Sequence, residues 1–137
     1  MQDSKTNQTG PSSDKVVLVA VSDVFFYTKI RDALLSKHYA LERARAQSEI
    51  LDKTIRLLPG AMILNMNDEK LDAFQALEQL RKDSRTAGLP VLAFANHEET
   101  DTWMRARELG VTKIVSRNEF SSRTLALVEE VIDSGAS

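Results

Sequence analysis

The sequence predicts a three-layer α/β domain built on a parallel sheet, and three observations predict it. Short apolar runs alternate along the chain with stretches of helical spacing. The runs are apolar on both faces, as strands covered by helices on both sides must be. Glycine and proline stand where the two periods meet. The first strand is Val16-Val17-Leu18-Val19-Ala20-Val21, and a helical stripe through Ile30, Leu34 and Leu35 follows it. Tyr39 to Ala44 supplies a second strand, although residues 40–46 are equally good helix by propensity. Ile50, Leu51, Ile55 and Leu58 mark the second helix, which Pro59-Gly60 stops before the third strand, Ala61-Met62-Ile63-Leu64. Phe74, Leu77 and Leu80 mark the third helix, and Gly88-Leu89-Pro90 leads into the fourth strand, Val91-Leu92-Ala93-Phe94-Ala95. Met104, Ala106 and Leu109 mark the fourth helix, closed by Gly110. Lys113-Ile114-Val115 is a short fifth strand, and Leu125, Val128 and Ile132 carry the last helix. Right-handed crossovers then stack these helices on both faces of the sheet.

Length and composition fit one such domain. The chain has 137 residues, 42% of them hydrophobic and 28% charged, close to globular averages. Residues 1–14, MQDSKTNQTGPSSD, have no apolar residue after Met1, cannot offset the entropy of ordering, and read as a disordered arm. Residues 15–133 form the domain without a repeat or linker, and residues 134–137 read as a frayed end. Lys plus Arg total 18 against 20 Asp plus Glu, so no basic field gathers nucleic acid or anionic lipid. Cysteine is absent, which excludes disulfides, thiol nucleophiles and thiolate-held metals. Neither a signal peptide nor a membrane-length apolar run occurs, so no membrane role is expected and the expected location is cytoplasmic.

In sheets of this kind ligands and chemistry gather at the carboxyl ends of the strands. The residues there are Ser22 and Asp23, Asn65, Ala95 and Asn96, and Ser116 and Arg117. With VVLVAVSD, LLPGAMILNMN, GLPVLAFAN and ELGVTKIVSR around them, residues 15–133 resemble a response-regulator receiver domain. The resemblance implies a flavodoxin-like (CheY-like) fold with strand order 2-1-3-4-5. It also implies an acidic pair after strand one, a phosphoacceptor Asp ending strand three, Ser or Thr ending strand four and Lys ending strand five. Ser22-Asp23, Asn65, Ala95 and Arg117 stand at those positions.

The spacing matches, and most of the chemistry is missing. An intact receiver accepts a phosphoryl group on a carboxylate with magnesium bound, whereas the Asn65 amide cannot form that acyl phosphate. Magnesium favours oxygen ligands that include carboxylates, and only Asp23 of the expected acids remains. Asp68, three residues past Asn65, is the one nearby substitute, which leaves a weak magnesium site at Asp23 and Asp68 open; no cofactor is otherwise expected. Ala95 lacks a hydroxyl, and Ile114 replaces the switching aromatic of many receivers. Arg117 keeps the positive charge of the expected Lys and adds a planar fork, which suggests an ion pair with Asp23 across the pocket.

Phe25, Phe26, Trp103 and Ile114 are candidate partner-surface residues. The two Phe rings follow Asp23 directly, either as an aromatic anchor for a partner or as core. Trp103 and Ile114 fall where the family uses the face of helix four, strand five and helix five for dimers and output contacts. His38 and His97 have no ligand-spaced neighbours, and VSDVFF contains no glycine for a phosphate loop. The expected function is that of a stand-alone pseudo-receiver without catalytic residues. It acts in two-component or phosphorelay-type signalling through contact with a histidine kinase, a regulator or a second copy, without aspartyl phosphorylation. Two alternatives stand beside it: a receiver switched through a non-standard acceptor such as Ser22, Asp23 or Asp68, and a small-molecule-binding α/β domain.

Overall fold

A computed structural model describes residues 15–136; the arm expected over residues 1–14 lies outside the described residues. Five strands alternate with helices: β1 Val16–Ala20, α1 Val24–Leu34, β2 Ala40–Arg43, α2 Gln47–Leu57, β3 Ala61–Asn65, α3 Ala73–Lys82, β4 Val91–Ala95, α4 Thr100–Glu108, β5 Lys113–Ser116, α5 Arg117–Ser122 and α6 Thr124–Ala136. A single 3-10 turn, Leu35–Lys37, extends α1. All strand pairs are parallel and the order is β2-β1-β3-β4-β5, the flavodoxin-like order expected from the sequence.

Side-chain alternation along the strands divides the core into two layers. Leu18, Met62, Leu64, Ala93 and Ile114 face one way and pack with Ile50 of α2, Leu77 and Leu80 of α3 and Ala106 of α4. Val17, Val19, Ile63, Phe94 and Val115 face the other and pack with Ile30 and Leu34 of α1, Phe120 of α5 and Val128 of α6. Strands β3 and β4 are buried along their full length, which explains their unbroken apolar runs.

The predicted stripe of Leu125, Val128 and Ile132 lies in α6, and a further short helix, α5, precedes it: the chain breaks at Arg123, with φ −134 and ψ 29, and restarts at Thr124. Arg123 bridges the break through Glu119 and Glu130. The signal for the extra helix is Ser116-Arg117-Asn118-Glu119, a Ser with Glu three residues on, and the Ser116 hydroxyl accepts the Glu119 N–H at 3.1 Å. The final helix also continues past Asp133, through residues expected to fray, to Ala136. Leu35 and Met104, expected on apolar stripes, are exposed because the 3-10 turn rotates Leu35 outward and α4 buries Ala106 instead.

At the end of the domain opposite the strand carboxyl ends, one guanidinium fastens two loops. Arg81 donates to the carbonyls of Ala87, Leu89, Leu109 and Gly110 at 2.9, 3.0, 3.4 and 2.7 Å. Gly110 has φ +83, a conformation that favours glycine, and a Cβ there would crowd Arg81 Nε at 3.2 Å. Replacing this cation leaves four carbonyls without their donor. Arg81→Met is therefore expected to cost about 2–3 kcal/mol, read as a lower urea midpoint with an unchanged slope.

Candidate functional site

The strand register decides which side chains meet. Asn65 is the partner of Phe94 on β4, Phe94 of Val115 on β5, and Arg117 lies two residues beyond Val115 on the same face. Across β1, the Ala20–Leu64 register places Ser22 and Asp23 at the same end of the sheet. Ser22, Asp23, Phe26, Asn65, Asp68 and Arg117 thus line one cavity of about 270 Å³. Ala95, fully buried beneath it, contributes no polar atom.

Asn65 is 7% exposed, and its Oδ1 accepts the Asn67 N–H at 2.9 Å. That backbone donor fixes the amide orientation, because only the oxygen can accept it. Asn67 in turn donates through Nδ2 to Glu99 and accepts the Asn96 N–H, both at 2.8 Å. Glu99 also accepts from the Asn96 amide and the Thr102 hydroxyl. These hydrogen bonds, the Asn96 amide first, hold its carboxyl below the usual range. The loops after β3 and β4 are fastened to the start of α4 by this relay, of which the sequence reading singled out only Asn65 and Asn96.

Asp68 joins the other pair of loops. Its carboxylate accepts the Ser22 N–H at 2.8 Å, the Ser22 hydroxyl at 2.7 Å, and the N–H groups of Lys70 and Leu71 at 2.9 and 3.0 Å. Partial burial pushes this carboxyl's pKa up, but the hydrogen bonds, the Ser22 N–H foremost, outweigh burial and hold it below the ordinary 3.8. Arg43 at the end of β2 secures the same loop by donating to the Ser22 carbonyl at 2.7 Å.

The expected Asp23–Arg117 ion pair does not form. Asp23 is the N-cap of α1, and its Oδ1 accepts from Phe25 N–H at 2.8 Å and Phe26 N–H at 3.2 Å. Arg117 lies instead over aromatic faces, 5.1 Å from the Phe26 ring and 5.7 Å from the Phe94 ring. Beneath it Phe26, Phe94 and Phe120 form a stack with centroid separations of 4.9 and 4.5 Å. Helix start and ring stack therefore claim the two charges separately. At the two acids of the weak magnesium site, the oxygens of Asp68 face four donors and one oxygen of Asp23 faces two. Among the described residues no group of three acidic, cysteine or histidine side chains converges.

No protein-family model matches the sequence, and no curated protein matches it. Solved structures do. A signal receiver domain of a response regulator from Bermanella marisrubri superposes with TM-score 0.78 at 18% identity, covering 87% of this chain and 98% of that one. A sensor protein from Polaromonas sp. JS666 gives TM-score 0.76 at 17% identity, covering 88% and 97%. The signal receiver domain of a histidine kinase from Syntrophus aciditrophicus gives 0.76 at 13%, covering 87% and 90%. The chain has the receiver fold.

Within the receiver fold the four expected partner-surface residues separate. Ile114 is 8% exposed and packs into the layer beneath α4, because β5 directs it inward, and it offers no surface. Phe26 is half-buried in the ring stack. Trp103 is half-buried against the core, and its indole N–H donates to the Asn96 carbonyl at 3.0 Å. Phe25 alone is free, 80% exposed on the first turn of α1 beside the half-exposed Val24. No helix among the described residues is long and apolar enough to cross a membrane.

The Ser22–Asp68 contact is testable. Ser22→Ala removes one donor and is expected to cost about 1 kcal/mol in urea denaturation. Because the folded-state pKa of Asp68 lies below 3.8, its contribution is present above the unfolded value and lost as pH falls through the folded one. The stability gap between wild type and Asp68→Asn, measured from pH 7 down to pH 3, is expected to narrow below the ordinary carboxylate value.

Proposed function

We propose that this chain is a pseudo-receiver, a signalling domain of the two-component class that works by protein contact without conventional aspartyl phosphorylation. The observation that carries the reading is Asn65: a neutral amide occupies the acceptor position, buried and tied through Oδ1 to the Asn67 N–H. An amide carries no charged oxygen to attack a phosphoryl donor. The nearest carboxylate, Asp68, is already occupied by four hydrogen bonds. The domain acts by presenting a surface and performs no catalysis.

Its partner is a histidine kinase, a regulator or a second copy. Exposed Phe25 and Val24 favour contact through the start of α1. A homodimer along α4, β5 and α6 lacks the apolar contribution of Ile114, though Met104, 58% exposed, stands on that side.

Intact-mass and peptide analysis after incubation with a small acyl phosphate and magnesium tests the reading. The wild type is expected to stay unmodified while a control receiver labels; a phosphoryl group at Ser22, Asp23 or Asp68 refutes it. Phe25→Ala is expected to weaken partner binding by about tenfold or more while shifting folding stability by less than about 0.5 kcal/mol.

A further inference from the structure

Hydrogen-bond accounting in the cavity gives an unequal result. Its acceptors are used in part: Asp68 takes four donors and one Asp23 oxygen takes two helix N–H groups, while the exposed Glu69 at the rim takes none among the described residues. Its donors are not. The Asn65 Nδ2 group lines the cavity on a side chain 7% exposed and has no hydrogen-bond partner among the described residues. The Arg117 guanidinium likewise has no ion pair or hydrogen bond among them. Its central carbon lies 5.1 Å from the Phe26 ring and 5.7 Å from the Phe94 ring, and its N–H donors have no oxygen partner among the described residues. A buried amide N–H group without a partner carries the desolvation cost of an unmade hydrogen bond, and a guanidinium without an ion pair stands on the same cavity.

We infer that this cavity binds a carboxylate, without metal and without covalent chemistry, between Arg117 and the Asn65 amide. The inference rests on the contact-signalling reading and names the group that the partner presents: the side chain of an Asp or Glu. Asp23, Asp68 and Glu69 line the same space, so a singly charged, planar carboxylate meets less repulsion there than a phosphate dianion. A protein is favoured as the source because Arg117 also borders an adjoining groove of about 330 Å³ that carries the exposed Phe25 ring. An acidic residue with an apolar neighbour fills both.

The test uses the full chain, labelled with nitrogen-15, with a chelator present and no phosphodonor, so its failure is separable from failure of the phosphorylation result. Sodium acetate at constant ionic strength is expected to move the Asn65 Nδ2 and Arg117 Nε signals along a saturable curve, with a Kd on the order of millimolar, while chloride does not. Arg117→Gln is expected to weaken acetate about tenfold, and Asn65→Ala, which leaves the ring stack intact, supplies the same reading should Arg117→Gln fold poorly. Absence of a saturable shift, indifference to both variants, or tighter binding of inorganic phosphate than acetate overturns the inference. A peptide with Glu between two Leu residues is expected to bind more tightly than acetate and to lose that gain in Phe25→Ala. Binding no tighter than acetate overturns the protein source.

Discussion

A parallel sheet covered on both faces leaves its polar chemistry one place to stand, because a charged or amide group in the middle of β3 or β4 would be desolvated without a partner. Every residue of those two strands is buried, and the only polar one, Asn65, is the last residue of β3. The same constraint explains why Ser22, Asp23, Asn96 and Arg117 follow strands directly. Their mutual geometry is then inherited from strand register and needs no local device of its own.

What the loops do with those residues is a matter of competition for hydrogen bonds. Asp68 gathers Ser22 and the two N–H groups that follow it, Asn67 links Asn65 to Glu99, and Asp23 turns to its own helix. Asp23 and Asp68 thus hold backbone N–H groups in place, while Glu99 gathers side chains. In a receiver fold that phosphorylates, such groups would hold an ion; here they hold the loops. The ring stack completes the arrangement by lying against the Arg117 guanidinium.

The order of elements, the buried strands and the strand-end residues were legible because burial on both faces writes itself into composition. The short helix α5 left a signal too, in the Ser116 to Glu119 spacing, but only when read as a cap. The direction of Ile114, the separation of Phe25 from Phe26, and the failure of Asp23 and Arg117 to pair were not. Each depends on which of two neighbouring surfaces a side chain meets, and periodicity alone does not rank two partners that are distant in sequence.

The sequence by itself determined an α/β domain of receiver fold with an amide at the end of β3, since residue identity and strand spacing are local properties. Tertiary structure alone decided how the remaining charges are spent. Asp68 faces Ser22 across 46 positions of sequence, and Arg117 meets Phe26 across a strand-to-helix fold-back that no run of residues specifies. A hydrogen bond or ring contact is settled by distance and angle in three dimensions, and the free donors of Asn65 and Arg117 become visible only once every competing contact has been placed.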